Sequence, residues 1–197
     1  MEAEYLQKLA PLLKKPLFTS REAKALGVHP ALLSYYVKMG RLNRISRGVY
    51  QNCDYQSNVS FRWQDLIETV YAINGGVICL LSALAIYELS EEIPRHQWIG
   101  VRHGTNAVGG PHLKIIRFRN MELGKTTIEL DGVFVPIFDR ERTIIDAFRL
   151  LSREIAIKAL KTALTQPSDQ RLDLIKLQAY AKKLRVNIDP YLITVTT

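Results

Sequence analysis

The stretch from residue 18 to 50 constrains the fold most, because its start and stop signals define two short helices followed by a hairpin. Thr19 and Glu22 have the spacing of a capping box, which satisfies the free N–H groups at a helix start. Gly27 ends this helix, and Pro30 suits the first position of a second one. Two short helices separated by a glycine turn indicate a helix-turn-helix.

The second helix, expected over residues 30–39, has one apolar face. The residues that recur at helical spacing and predict its buried side are Leu32, Leu33, Tyr36 and Val37. The opposite face then exposes Ala31, Ser34, Tyr35 and Lys38. We predict that this exposed face binds DNA, with Ser34, Tyr35 and Lys38 as its contacts.

A short stretch beyond Gly40 alternates apolar and polar residues and is interrupted at residues 46–48, as in a β-hairpin. Three arginines lie on it or beside it, namely Arg41, Arg44 and Arg47. A hairpin wing beside a helix-turn-helix commonly follows the DNA backbone, where a guanidinium group donates to phosphate. The sequence therefore predicts a winged helix-turn-helix domain over residues 1–52, with these arginines at the DNA.

The distribution of charge supports a nucleic-acid partner. Residues 1–50 contain five Lys and four Arg against three Glu, which gives +6 of the whole chain's +8. Such a concentration is the electrostatic footprint of a nucleic-acid module. The alternative is an ordinary solvated face on a winged domain that binds protein, and the uneven charge favours DNA.

This segment resembles the winged helix-turn-helix of AbiEi-type antitoxins, the transcription-repressing half of bacterial type IV toxin-antitoxin systems. The stretches that carry the resemblance are Phe18-Thr-Ser-Arg-Glu-Ala, Gly27-Val, the run from Tyr36 to Arg44, and Arg47-Gly-Val-Tyr50. Two later stretches, Leu81-Ser-Ala-Leu84 and Arg142-Thr-Ile-Ile-Asp146-Ala-Phe, resemble signatures of that family's C-terminal domain. The resemblance spans residues 3 to 150.

The resemblance implies a transcriptional autorepressor that occupies inverted repeats in the promoter of its own operon, with a dimer on DNA as one arrangement. It also implies neutralisation of a nucleotidyltransferase-like toxin encoded next door, and it leaves direct contact with that toxin open. It implies no catalytic residue and no cofactor. The longest apolar run, residues 77–86, is far shorter than the roughly 20 residues of a membrane helix, so we expect a cytoplasmic protein.

A polar stretch over residues 51–58 predicts a linker, followed by an α+β domain over residues 59–197. We expect central antiparallel strands followed by C-terminal helices. The strands are expected at 97–101, 113–119, 126–130 and 133–138, the last two around an Asp131-Gly132 turn. Helices are expected at 65–73, from a Ser82 cap to Leu89, and at 141–151, 153–164 and 172–184.

A Mg²⁺-dependent nuclease is the catalytic alternative, because Glu129 and Asp131 put two carboxylates on one face of a strand. A third carboxylate and a nearby lysine are missing from this pattern. The glycine-rich loop within residues 103–112 lacks the Lys and Ser/Thr of a phosphate loop. The histidines around it, His96, His103 and His112, match no metal-ligand spacing. We therefore expect no metal site.

Other residues outside the winged domain have a predicted role. Arg142 and Asp146 are four residues apart on a helix and are expected to form a structural ion pair. Lys114, Arg117 and Arg119 form a second basic patch that either binds DNA or keeps an edge strand soluble. Cys53 and Cys79 are expected to be reduced structural thiols. A stand-alone regulator whose second domain binds a ligand or a protein stays open as an alternative function.

Overall fold

The computed structural model describes residues 2–55, 60–168 and 170–196. The chain divides into two compact units, the first made of residues up to 74 together with 129–135, and the second of 75–128 and 136–197. Residues 56–58 of the predicted linker and residue 59, the predicted start of the second domain, lie outside the described residues. The predicted domain boundary between 52 and 59 stays a prediction.

Unit 1 combines helices with a small antiparallel sheet. Its helices are α1 (Glu2–Leu13), α2 (Ser20–Ala25), α3 (Pro30–Lys38) and α4 (Phe61–Ala72). Its strands are β1 (Phe18–Thr19), β2 (Leu42–Ser46) and β3 (Val49–Asn52), in the order β1-β3-β2. The predicted hairpin is confirmed, whereas β1 was not predicted, because two residues show no alternation.

The capping box at the start of α2 is present as predicted. The Thr19 hydroxyl oxygen accepts from the Glu22 N–H at 3.2 Å, and the Glu22 carboxylate accepts from the Thr19 N–H at 2.7 Å. Burial acts to raise the pKa of Glu22, but hydrogen bonds from Lys15 and Thr19 hold it below its usual value. This carboxylate therefore stabilises the helix start as an anion.

One apolar cluster joins the helices of unit 1 to its sheet. Its buried residues are Leu9, Leu12, Phe18, Ala23, Val28, Leu33, Tyr36, Leu42 and Tyr50. Phe18 lies opposite Tyr50 in the β1–β3 pair, and their rings stack with centroids 5.9 Å apart. The short strand β1 thus anchors the hairpin to the helical core.

Unit 1 also includes α4 and the tip of a later hairpin. This helix begins at Phe61 rather than at the predicted Asp65. The Asp131 carboxylate accepts from both the N–H and the hydroxyl of Ser60 at 2.9 Å, immediately before the helix. Tyr71 donates to the Phe134 carbonyl at 2.6 Å, and burial raises the pKa of this phenol. The early start reflects partners that are distant in sequence.

A five-stranded sheet has the order β6-β5-β4-β8-β7. Its strands are β4 (Val77–Ile78), β5 (Gln97–Arg102), β6 (Leu113–Phe118), β7 (Lys125–Leu130) and β8 (Val133–Phe138). The α+β class is confirmed, but the sheet is mixed, not simply antiparallel. β4 is antiparallel to β5 and parallel to β8, and β5 is parallel to β6. The loop over 103–112 carries the chain back along β5, so that β6 starts beside the start of β5. The composition of the loop did not predict this crossover.

The helices of unit 2 are α5 (Leu80–Ile86), α6 (Arg140–Leu150), α7 (Arg153–Thr165), α8 (Leu174–Leu184) and α9 (Asp189–Thr196). The predicted Ser82 cap is wrong, because α5 already begins at Leu80 after Cys79. The buried Ser82 hydroxyl instead accepts from the Trp98 N–H at 2.8 Å and ties α5 to β5. Helix α9 was not predicted.

The predicted pair of Arg142 and Asp146 is confirmed, and it lies in the core of unit 2. The Arg142 Nε donates to the Asp146 carboxylate at 2.6 Å, and both side chains are fully buried. Another guanidinium N–H donates to the Leu123 carbonyl at 3.0 Å. The guanidinium group also lies over the rings of Phe118 and Phe138, at 5.3 and 4.7 Å from their centroids. This arginine connects α6 to the sheet.

Candidate nucleic-acid interface

Helix α3 exposes the face that its sequence predicts. The residues on the exposed side are Ala31, Ser34, Tyr35 and Lys38. Leu33 and Tyr36 on the opposite side are completely buried. The Tyr35 ring meets the Tyr36 ring edge-on at 5.7 Å and is still 42% exposed. The core therefore fixes the helix while an aromatic ring, a hydroxyl and a cation stay accessible to a partner.

His29 is a residue of this helix start that the sequence analysis did not single out. Its Nδ1 accepts from the Ala31 N–H at 3.2 Å and caps α3. The sequence signal that could have identified this cap is the position of His29 directly before Pro30, since a proline at the first helical position makes the preceding residue the cap.

The wing exposes two of the predicted arginines. Arg44 lies in β2, and Arg47 lies in the turn between β2 and β3. The register of the two strands shifts between Arg44 and Ser46, so the hairpin contains a bulge before the turn. The two exposed arginines therefore lie on either side of this bulge.

The turn of the wing is fixed to the start of α2. The Ser20 N–H donates to the Gly48 carbonyl at 2.8 Å. Gly48 has φ +82°, and a Cβ atom at this position would lie 3.1 Å from the Ser20 hydroxyl. Glycine is favoured here mainly by its φ, at which other residues are strained, and a Cβ atom would also push the Ser20 hydroxyl aside.

Arg41 has a different environment from the other two arginines. It is exposed, and it lines a cavity of about 280 Å³ together with Leu9 and Leu13 of α1 and with Asn52 and Asp54. A DNA contact for Arg41 stays a prediction. Its position beside α1 distinguishes it from Arg44 and Arg47.

The predicted cations on α3 and the wing are available to an anionic partner. Among the residues that the structure describes, no carboxylate lies within ion-pair distance of Lys38, Arg41, Arg44 or Arg47. Cations of this kind can displace the counterions that surround DNA phosphates, so the affinity they support weakens as salt rises.

The second predicted basic patch is divided by the geometry of β6. Lys114 lies opposite Trp98, and its ammonium group is 4.0 Å from the indole centroid. Arg117 points to the other side of the strand, because side chains alternate, and it donates to the Ala107 carbonyl at 2.8 Å. Arg119 is exposed beyond the end of β6. Local contacts thus account for two of the three cations.

The residues considered for metal-dependent catalysis are not gathered into a site. Asp131 has φ +48° in the hairpin turn, and its carboxylate accepts both hydrogen bonds from Ser60. Within residues 2–55, 60–168 and 170–196, no group of three His, Cys, Asp or Glu residues could hold a metal ion. The three histidines near the 103–112 loop are exposed. Cys53 is a free, exposed thiol and Cys79 a free, buried one.

Within unit 1, the helices α1 to α3 and the hairpin of β2 and β3 have the arrangement of a winged helix-turn-helix module. Residues 7–52 of this module match the family described as transcriptional regulator, AbiEi antitoxin, which confirms the resemblance seen in its motifs. The match ends before α4, so the resemblance of the two later signatures stays a prediction. The chain matches none of the curated proteins.

In the part of the chain that the structure describes, no helix is long and apolar enough to cross a membrane.

Proposed function

We propose that this protein is a transcriptional autorepressor that binds operator DNA and acts as the antitoxin of a type IV toxin-antitoxin system. The exposed face of α3 carries the proposal, together with the family match over the same domain. In this arrangement α3 enters the major groove, and Ser34, Tyr35 and Lys38 contact base edges and phosphates. Arg44 and Arg47 follow the backbone from the wing, and Arg41 contacts it nearby.

Two copies of the protein occupy the two arms of an inverted repeat in its own promoter, in the cytoplasm. The two-fold symmetry of the site then matches a pair of winged domains. A reporter gene placed behind the protein's own upstream DNA tests this role. Expression of the protein should lower reporter output, Lys38→Ala should relieve the repression, and scrambling one arm of the repeat should do the same. Unchanged output with the intact promoter would contradict autorepression.

The antitoxin half of the proposal concerns a nucleotidyltransferase-like toxin encoded beside this gene. Co-expression should restore growth to cells that make the toxin. We expect Lys38→Ala to restore growth as well as the parent protein does, because neutralisation does not require operator binding. No rescue by either protein, at matched expression, would contradict the antitoxin role and leave a stand-alone regulator.

A further inference from the structure

Three guanidinium groups line one cavity of about 480 Å³ in unit 2. Arg149 belongs to the last turn of α6, Arg153 is the first residue of α7, and Arg185 directly follows α8. Three helix ends thus bring cations to a single concave surface. The volume falls in the range of small-ligand sites, about 300 to 1,000 Å³.

The charges around this cavity are not balanced by the protein. One carboxylate, that of Asp146, accepts from both Arg142 and Arg149, each at 2.6 Å. Within the described residues, neither Arg153 nor Arg185 has a carboxylate at ion-pair distance. Of the three arginines that line the cavity, only Arg149 therefore has a carboxylate partner in the described residues, and the cavity favours an anion.

Aromatic rings hold one of these cations in place. Phe148 and Tyr191 both line the cavity, with their ring centroids 4.9 Å apart. The Arg153 guanidinium lies 5.0 Å from the Tyr191 centroid and 6.0 Å from that of Phe148. Stacking on a ring leaves the N–H donors at the edge of the guanidinium plane free to bind a ligand.

Arg185 is the residue that caps the C-terminal end of α8. It adopts a left-handed conformation with φ 58° and ψ 45° at the end of α8, where Gly or Asn is the usual residue. Lys182 and Lys183 already provide cations in the last turn of the helix. Because a non-glycine residue in this conformation is strained, Arg185 is a candidate functional position.

We propose that the cavity lined by Arg149, Arg153 and Arg185 binds a small ligand that carries a phosphate monoester. Guanidinium groups match the geometry of phosphate, and a dianion suits a cavity in which Arg153 and Arg185 have no carboxylate partner among the described residues. The cavity is larger than a phosphate group needs, so the organic part of the ligand packs against Phe148 and Tyr191. The cavity belongs to unit 2 and shares no residue with the proposed DNA contacts in unit 1.

Thermal unfolding of the full-length protein with phenyl phosphate, against sodium chloride at equal ionic strength, tests the proposal. At about one hundred times Kd, the midpoint should rise by about 5 °C or more. Arg185→Gly is the informative variant, because glycine relieves the left-handed strain and preserves folding while it removes the cation. We expect its affinity for phenyl phosphate, measured by calorimetry, to fall at least about tenfold.

Arg171→Ala is the matched control, because Arg171 is an exposed arginine outside the cavity, and it should bind phenyl phosphate like the parent protein. Equal binding by Arg185→Gly and the parent protein would overturn the proposal, as would a midpoint that chloride raises equally. Inorganic phosphate should bind more weakly than phenyl phosphate. Equal affinities would show that the cavity binds the phosphate ion alone, and would contradict a contact between the organic part of the ligand and the rings. Arg185→Gly should bind duplex DNA as tightly as the parent protein does. A loss of DNA affinity together with phenyl phosphate affinity would mean that the cavity binds phosphates of the DNA backbone, which would overturn a small-ligand site.

Discussion

At the scale of single residues, the two sets of arginines in this protein have opposite environments. Arg44 and Arg47 are exposed on the wing, whereas Arg142 is buried against two aromatic rings and bonded to Asp146. An exposed arginine near DNA contributes to affinity, and a buried one contributes to stability. Substitution of each kind should therefore change a different measurement.

Arg47→Ala should weaken operator binding without loss of stability. If the side chain contacts a phosphate, the slope of log K against log salt should fall by about 1, and if it contacts a base, affinity should fall by about 1–3 kcal/mol. Gel-shift titrations at several salt concentrations distinguish the two. Arg95→Ala, an exposed arginine of unit 2, is the control. Binding that is identical in Arg47→Ala at every salt would remove Arg47 from the interface.

Arg142→Met should reduce the free energy of unfolding by about 3 kcal/mol or more, because it removes one partner of a buried pair. The double variant Arg142→Met, Asp146→Leu should recover much of this loss, since neither charge is then buried. Urea denaturation of the single and double variants measures the difference. Equal losses in both would mean that the rings and Leu123, not the ion pair, account for the role of Arg142.

At the scale of elements, the capping box determines where α2 begins, and its strength depends on the ionisation of Glu22. The pKa of Glu22 in the folded protein is lower than its usual 4.5. Its contribution to stability is therefore complete above about pH 4.5 and is lost as the pH falls through the lower folded value.

Glu22→Gln should lower the unfolding midpoint near pH 7, because the neutral amide accepts weaker hydrogen bonds from Lys15 and Thr19. The difference from the parent protein should shrink steadily as the pH falls below about 4.5. Thermal unfolding followed by circular dichroism between pH 7 and pH 3 measures it. A difference that is the same at every pH would contradict the role of the carboxylate charge.

Elements built from local signals were predictable from the sequence, and those fixed by distant contacts were not. The capping box, the two faces of α3 and the Asp131-Gly132 turn follow from residues a few positions apart. The strand β1, the parallel pairing of β5 with β6 and the role of Ser82 depend on partners far along the chain. For the same reason, the arginine cavity was not predicted, since it joins three helix ends.

At the scale of the whole molecule, positive charge is concentrated in one part of the chain. Residues 1–50 contribute +6 of the net charge of +8, and these residues form most of the winged module. For the proposed function, this distribution predicts that long-range attraction to DNA arises mainly from the domain that contains α3. The second unit has a mixed sheet, a buried arginine pair and a separate basic cavity.

The proposed role is binding, so supercoiled plasmid incubated with the protein and Mg²⁺ should stay intact. The two carboxylates of Glu129 and Asp131 have no third partner in the described part of the chain, and Asp131 is hydrogen-bonded to Ser60. Agarose electrophoresis over a long incubation measures the outcome, with Glu129→Ala as the matched sample. Cutting by the parent protein that Glu129→Ala abolishes would support the nuclease alternative.

The most direct test of operator binding is a gel-shift titration of the full-length protein on DNA from upstream of its own gene. A scrambled duplex of equal length and composition is the comparison, and both are measured at two salt concentrations. The account predicts that the upstream DNA binds about 10³-fold more tightly than the scrambled one, and that both affinities fall as salt rises. Equal affinities for the two duplexes would contradict operator recognition and assign the winged domain to another partner.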